Sequence, residues 1–282
     1  MDAVNIGIRS TDAVFLERLR PYLTRFAVEN APERYVMLSA DCGTAKTLVG
    51  GKTLRGRATL YVNELVVYRG FGVEEMIGRF LSVIRDMSND ESNEFIRVRG
   101  AGVVLGEEAV VLPSLPDRHL PALSGLLVEA GARYLGDEIV NVDPVTAKAY
   151  GRHFPLLVDA SDTALFPALG ARYTPRRRAA GVPARRLALA VEELGGAVAS
   201  PTEIRRLVFP SFEPGRPTEL QPIARAEAMF AIAGAVLNMH VWGERALILA
   251  NRLLASATAA RLIVGSLPDA ASTIMHEMHG TN

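Results

Sequence analysis

The middle of the chain carries a hydrophobic pattern that predicts a strand, a loop, a helix and a second strand, in that order. Residues 109–112 form a short apolar run, rich in β-branched side chains and bounded by glycine and proline, which is typical of a buried strand. Leucines then fall at helical spacing across 120–127, and Asp117 stands before them as a candidate helix cap. Residues 134–142 are predicted to form one further strand. This order is the frame of a phosphate-binding P-loop domain.

The pattern before this region predicts a smaller set of strands and helices. Alternating positions indicate strands at 3–9 and 34–39 and a strand or hairpin at 57–68, and helical spacing indicates helices at 11–26 and 73–87. Ser10 or Thr11 is the expected cap of the first helix. A polar run at 88–93 separates these elements from the rest of the chain. We therefore expect a small N-terminal α+β domain over 1–92 and a second domain over 93–282.

The end of the chain is predicted to be mostly helical. We expect a helical turn and a short strand within 201–210, helices at 222–239, 243–258 and 268–276, and a last strand at 260–265. The fold class expected for the whole chain is therefore α/β. Its second domain would hold a mixed sheet and a helical C-terminus.

Composition and charge narrow the functional classes. The chain has 282 residues, of which 49% are hydrophobic and 22% charged, and its formal net charge is zero. A neutral chain has no general attraction to nucleic acid or to an anionic membrane, and its apolar stretches are shorter than the roughly 20 residues that span a bilayer. The single cysteine excludes an intrachain disulfide, and no signal peptide is evident. We expect a cytoplasmic bacterial protein that binds neither nucleic acid nor membrane.

An ordered set of motifs between residues 95 and 269 resembles the HPr kinase-related family, bacterial relatives of HPr kinase/phosphorylase. The region 99–144 is similar to the family's phosphate-binding loop and the acidic strand that follows it. Downstream, Phe154 and Pro155, residues 206–215 and residues 221–228 resemble family segments of the forms FPRP, VVFPRYRPG and LEPLSRAEAL. The resemblance implies a P-loop domain of the HPr kinase and PEP carboxykinase type. It also implies self-association, because HPr kinases form hexamers.

The loop itself departs from the family pattern. A P-loop needs G-x-x-x-x-G-K-[ST], in which backbone N–H groups enclose phosphate oxygens, lysine adds positive charge and the hydroxyl holds magnesium. In the corresponding register this chain has Ser114, His119, Leu120 and Pro121. Pro121 has no N–H to donate, and Asp117 would place a carboxylate where a phosphate belongs. The sequence therefore predicts a P-loop scaffold that has lost its nucleotide site and uses no cofactor.

The family's acidic pair and a nearby arginine supply further candidates. Asp137 and Glu138 match carboxylates that act in the family near the metal and the reacting hydroxyl. In a regular strand only one of the two would face the old nucleotide pocket. We expect a structural, hydrogen-bonding role for Asp137, with catalytic use as the alternative. Arg99 stands where relatives carry histidine, and Arg99 or His119 is a candidate for binding a different anion.

Two other basic segments leave alternatives open. Six arginines lie within 172–186, among them Arg176, Arg177 and Arg178, and they form either a mobile arm for an acidic partner or a solvated loop. The text GGKT at 50–53 imitates part of a P-loop, but a strand pattern follows it where a P-loop needs a helix. A glycine-rich hairpin or loop is the favoured interpretation there, and an anion-binding loop is the alternative.

These observations favour a binding protein over a working enzyme. The leading hypothesis is a catalytically degenerate HPr kinase-like protein that acts as a binding, scaffold or regulatory subunit. A protein or peptide would be its partner, and self-association is expected. The alternative is a kinase of serine or another hydroxyl, using ATP and magnesium, with positive charge from 50–53 or 172–186. A third hypothesis is an accessory protein in modified-peptide biosynthesis, because members of the family occur in such gene clusters.

Overall fold

A computed structural model of the chain describes residues 5–28, 36–43, 46–47, 53–54, 57–91, 94–115, 117–173 and 186–279. The strands in these residues are β1 (Ile6–Ser10), β2 (Val36–Cys42), β3 (Lys46–Thr47), β4 (Thr53–Leu54), β5 (Arg57–Val62), β6 (Leu65–Phe71), β7 (Ile96–Leu105), β8 (Glu108–Pro113), β9 (Arg133–Gly136), β10 (Ile139–Val142), β11 (Lys148–Tyr150), β12 (Leu156–Asp159), β13 (Arg186–Leu189), β14 (Thr202–Phe212), β15 (Glu219–Pro222) and β16 (Thr258–Val264). The α-helices are α1 (Ala13–Leu23), α2 (Val73–Glu91), α3 (Leu120–Glu129), α4 (Pro167–Arg172), α5 (Arg225–Ala235), α6 (Met239–Trp242), α7 (Glu244–Ser256) and α8 (Leu267–His279). The α/β class expected from the sequence is confirmed.

The chain divides into two units, and each unit is built from two separate segments. The first unit contains Met1–Ser92 and Asp159–Leu189, and the second contains Asn93–Val158 and Ala190–Asn282. The sequence predicts residues 159–189 in the second domain, whereas the described parts of this segment, 159–173 and 186–189, belong to the first unit. The reason is packing: the carbonyl oxygen of Arg186 lies directly against Gly78 of α2, and the Tyr22 hydroxyl donates to the carbonyl of Ala188 at 3.4 Å.

The first unit is organised around a four-stranded sheet in the order β1-β2-β5-β6. Only the β1–β2 pair in this sheet is parallel, and α1 and α2 supply the buried rings of Phe15 and Phe80, whose centroids are 5.5 Å apart. Asp12, and not Ser10 or Thr11, caps α1, because its carboxylate accepts from the N–H groups of two residues in the first turn. The hydroxyls of Ser10 and Thr11 are engaged elsewhere, on β2.

The GGKT segment lies beside two antiparallel strand pairs of the first unit along the chain. β3 pairs with β4, Lys46 opposite Leu54, and residues 48–52 between these strands lie outside the described part of the chain. The next element is the strand β5, which pairs with β6, as the sequence predicted for 57–68. The structure therefore places described strands on both sides of the segment, whereas its glycines and lysine, on which the choice between a hairpin or loop and an anion-binding loop depends, lie outside the described residues.

The second unit contains a mixed sheet with helices on both faces. Its strand order is β11-β10-β7-β8-β14-β16-β15, and β9 also pairs with β7. β14 runs parallel to both β8 and β16, whereas the outer pairs are antiparallel. Alternate residues of β8 enter opposite cores: Val110 packs with α3 and α8, and Val111 packs with α5 and α7. This alternation is why the apolar run 109–112 is continuous.

Several local expectations near the C-terminus need correction. Residues 202–212 form one continuous strand, β14, and not a helical turn followed by a short strand, because β14 is paired on both sides. The helix predicted at 222–239 divides into α5 and α6. Asn238 lies between them, fully buried, where its side chain accepts from the N–H of Arg97 at 3.0 Å and donates to the carbonyl of Phe95 at 2.8 Å.

Candidate functional site

The loop between β8 and α3 lies at the carboxyl end of a parallel strand. β8 and its neighbour β14 run in the same direction, as do β14 and β16, so these three strands end at the same edge of the sheet. Ligands of open α/β sheets bind at such an edge. The structure thus places the loop that the sequence singled out, residues 114–119, at the edge where this architecture supports a binding site.

Backbone hydrogen bonds bring three of the predicted features together at this edge. The N–H of Ser114 donates to the carbonyl of Arg99 at 3.2 Å, and the N–H of Gly100 donates to the carbonyl of Glu138 at 2.9 Å. Arg99 therefore lies between the start of the loop and the acidic pair. Its side chain is half-buried, and within the described part of the chain no ion pair or hydrogen bond engages its guanidinium group.

Asp117 turns its carboxylate back onto the start of α3. Its Oδ1 accepts from the backbone N–H of His119 at 2.8 Å. The helix itself begins at Leu120, and the residue at its cap position, His119, makes no side-chain capping bond. The expectation that Asp117 caps the helix is therefore correct only in part: the carboxylate takes an N–H just before the first turn, and the helix starts three residues after it.

The two positions that would carry lysine and serine in a P-loop face the core. Leu120 is only 3% exposed and belongs to the apolar cluster that contains Val110 and Leu123. Pro121 is buried in the first turn of α3. A phosphate site needs a cation and a hydrogen-bond donor at these two points. The chain has the hydrocarbon side chain of Leu120 and the nitrogen of Pro121, which carries no hydrogen.

His119 contacts residues that the sequence did not connect with it. Its ring lies 5.9 Å from the ring of Phe212 at the end of β14, and its Nε2 accepts from the Nε of Arg118 at 3.1 Å. The Arg118 contact could be anticipated from adjacency. The Phe212 contact could not, because only the pairing of β8 with β14 brings the two segments together.

The acidic pair does not lie in a regular strand. The strand predicted at 134–142 is interrupted at Asp137 and Glu138, and its two halves, β9 and β10, both pair with β7. Asp137 is buried: its Oδ1 accepts from the hydroxyl of Tyr134 at 2.8 Å and its Oδ2 accepts from the N–H of Leu157 at 3.0 Å. The structural role expected of Asp137 therefore has two identified partners, and strand alternation does not decide which carboxylate faces the loop.

Several predicted features lie outside the described residues or receive no partner in them. Arg176, Arg177 and Arg178 fall within 174–185, which the structure does not describe. The glycines and the lysine of GGKT fall within 48–52, which is also outside the described residues. No group of three or more His, Cys, Asp or Glu side chains in the described ranges is arranged to hold a metal ion. Of the helices described, none is both long and apolar enough to cross a membrane.

Comparison of the sequence with models of known protein families finds no match, and comparison with curated proteins finds none either. The likeness to the HPr kinase-related family therefore rests on the sequence motifs alone.

Cys42, in the first unit, is in a setting that suppresses its reactivity. Burial, and to a smaller extent the nearby carboxylates of Asp12 and Asp41, together raise the pKa of its thiol from 9.0 to about 11, against a smaller lowering by a hydrogen bond with Ser10. Because the thiolate is the nucleophile, we expect alkylation by iodoacetamide at pH 8 to be on the order of one hundredfold slower in the folded than in the urea-unfolded protein. The folded rate should keep rising with pH up to about pH 11. A plateau near pH 9 would contradict this assignment, and with one cysteine in the chain no other site contributes.

Proposed function

We propose that the second unit is an HPr kinase-like domain that no longer binds nucleotide, and that the protein acts as a binding, scaffold or regulatory subunit for a protein or peptide partner. The contact that carries this proposal is the 2.8 Å hydrogen bond from the His119 N–H to the Asp117 carboxylate. In a P-loop, backbone N–H groups at this point bind phosphate oxygens. Here the chain's own carboxylate takes the place of the external anion.

The surroundings of the loop support the loss of nucleotide binding. A bound phosphate would meet the negative charge of Asp117, without a lysine to offset it, because Leu120 is buried in the core. Both oxygens of Asp137 already accept hydrogen bonds from the protein. Two of its lone pairs are thus taken up by the protein, which leaves fewer with which to position magnesium or accept a proton.

The arrangement of elements supports the P-loop origin. A P-loop follows a buried strand and opens a helix, and the segment 108–129 has this order in β8, the loop and α3. The acidic pair 137–138 lies next to the loop through Arg99 and Gly100. Both features match the motif order on which the family resemblance rests.

The proposal predicts that the protein does not respond to nucleotides. We expect the melting temperature to stay unchanged when ATP, ADP or GTP is added to millimolar concentration, with or without magnesium. A ligand at one hundred times its dissociation constant would stabilise the protein by about 2.7 kcal/mol, so calorimetry and a thermal-shift assay both detect binding if it occurs. A magnesium-dependent shift would contradict the proposal and favour the kinase alternative.

A restored loop provides the positive arm of the same experiment. Five substitutions rebuild the pattern: Ser114→Gly, Asp117→Asn, His119→Gly, Leu120→Lys and Pro121→Ser. This variant should gain magnesium-dependent binding of ATP if the scaffold is a P-loop. The matched control carries Leu120→Met and the other four changes, so that it differs only in the missing ammonium group. Equal responses of the two variants would argue against a P-loop origin.

A further inference from the structure

Arg99 in β7 lies on the face of the large sheet that carries α3. Val98, one residue before it, packs with α5 and α7 on the opposite face, as does Val104 further along the strand. Ala101, two residues after it, packs with α3 and α8. Successive residues of a strand point to opposite faces, and the alternation of these neighbours continues through Gly100. Arg99 therefore shares a face with Ala101, and with α3.

The neighbours of Arg99 on the two adjoining strands place it beside the degenerate loop. Ile139 of β10 lies directly opposite Arg99 and is only 8% exposed. On the other side, the N–H of Ser114, where the chain leaves β8, donates to the Arg99 carbonyl. The first residue of α3, Leu120, packs on this same face. Arg99 thus brings a positive charge to the edge where the loop and the start of α3 meet the sheet.

This charge is not balanced by a carboxylate of the chain. Other arginines of the second unit lie beside such a group: Arg133 with Glu107, Arg206 with Glu108, Arg216 with Glu213 and Arg261 with Glu227. Among the residues that the structure describes, no acidic side chain pairs with Arg99, although it is half-buried. A cation that is partly removed from water is stabilised by a bound anion. The balance of charge at this point therefore favours an anion from outside the chain.

The groups around Arg99 favour a carboxylate over a phosphate. A guanidinium group presents parallel N–H groups that match the two oxygens of a planar carboxylate. A phosphate dianion needs further donors or cations. At this edge the N–H of His119 is already taken by the Asp117 carboxylate, and Pro121 has no N–H. One arginine beside a resident carboxylate therefore suits a monoanion that a single fork of donors can hold.

We propose that Arg99 binds a carboxylate of the protein's partner, supplied by an Asp or Glu side chain or by a C-terminus. This inference rests on the proposed function, because it names the group through which a protein or peptide would be held at the degenerate loop. Partial burial strengthens such an ion pair, because the local dielectric is lower than that of water. Ile139 offers apolar contact beside it.

The test is an NMR titration of the whole chain with short peptides, followed through the Nε–H signal of Arg99 and the backbone N–H signals of Gly100 and Ser114. The loss of its signal in Arg99→Gln assigns the side chain. The probes are N-acetylated Gly-Glu-Gly amide, N-acetylated Gly-Gln-Gly amide and N-acetylated Gly-Gln-Gly with a free C-terminus, at matched ionic strength. A single ion pair is weak, so the titration has to reach tens of millimolar. At least one of the two acidic peptides should give a saturable shift, which identifies the source of the carboxylate, and the neutral peptide should give none.

Variants separate this ion pair from a general effect of charge. Arg99→Gln should raise the dissociation constant of the acidic peptide about tenfold or more. Arg99→Lys keeps the charge without the fork of donors, so its loss should be smaller. Arg245→Gln is the matched control, because it removes an exposed arginine of α7 with the same change in net charge, and it should bind as the natural protein does. Equal weakening by Arg99→Gln and Arg245→Gln would overturn the proposal.

The remaining outcomes distinguish this inference from the proposed function. Equal shifts with the acidic and neutral peptides would overturn the inference even if Arg99→Gln unfolds, because that comparison uses the natural protein. Tighter binding of inorganic phosphate than of either acidic peptide would overturn the choice of a carboxylate. A silent Arg99, in a protein whose melting temperature also ignores nucleotides, would overturn this inference and leave the proposed function standing. A magnesium-dependent response to ATP would contradict the proposed function, and with it the basis of this inference.

Discussion

Replacement of Asp137 by alanine is expected to lower the free energy of unfolding of the second unit by about 3–5 kcal/mol. The carboxylate is 3% exposed and accepts from the Tyr134 hydroxyl and from the N–H of Leu157. Its removal leaves two buried donors without this acceptor, at a cost of about 1–3 kcal/mol for each. Urea unfolding followed by fluorescence measures the change, because the single tryptophan, Trp242, packs against the core of the second unit.

Tyr134→Phe is the matched control for this prediction. It removes one hydrogen bond and keeps the ring, so the expected loss is only about 1–2 kcal/mol. In the Asp137→Ala background the same change should cost less than it does alone, because the hydroxyl has already lost this acceptor. A loss below about 1 kcal/mol for Asp137→Ala would show that the carboxylate does not serve the structural role assigned to it.

Gly100→Ala is expected to destabilise the second unit by about 3 kcal/mol or more. Gly100 adopts φ +147°, a conformation that L side chains rarely adopt, and an added Cβ would lie 2.2 Å from the carbonyl oxygen of Leu112. β7 and β8 are held together there by their ladder, so neither backbone has room to move away. The N–H of Gly100 also donates to the carbonyl of Glu138, next to the contact of Arg99 with Ser114. The substitution should therefore disturb the backbone at the start of the loop as well.

The control for Gly100 lies at the turn between the same two strands. Gly106 has φ +58°, and an added Cβ would meet nothing within 4 Å. Gly106→Ala should therefore cost only the left-handed strain of about 1–2 kcal/mol. Both variants are measured by urea unfolding with the same Trp242 signal. Equal losses would mean that the close contact with Leu112 does not determine the cost at Gly100.

Local patterns predicted those elements whose partners lie close in sequence. The apolar run 109–112 and the leucine spacing of α3 gave a strand and a helix, because alternation and helical periodicity follow from burial of one or both faces. The cap of α1 shows the limit of such signals. Ser10, Thr11 and Asp12 are all good capping residues, and the contacts of the first two with β2 left the third to cap the helix.

Features that depend on contacts between distant parts of the chain could not be predicted from the sequence. The segment 186–189 carries no signal that it belongs to the first unit, because only its packing beside α2 places it there. At the candidate site, the departures of residues 114–121 from the P-loop pattern were readable because that pattern has a fixed spacing. The hydrogen-bond partners of Asp137 could not be predicted from the sequence, because one of them, Leu157, lies twenty residues further along the chain and donates through its backbone.

The division of each unit into two segments has a consequence during biosynthesis. Leu187, Ala188 and Leu189 of β13 are fully buried in the first unit, so this unit lacks part of its core until residue 189 has left the ribosome. At roughly 5–20 residues per second, the interval after residue 92 lasts on the order of 5–20 seconds. During that time the apolar residues of α2 that will meet β13 lack their cover, and holdase chaperones bind surfaces of this kind. The nascent chain therefore has to be kept from aggregating until most of it has been made.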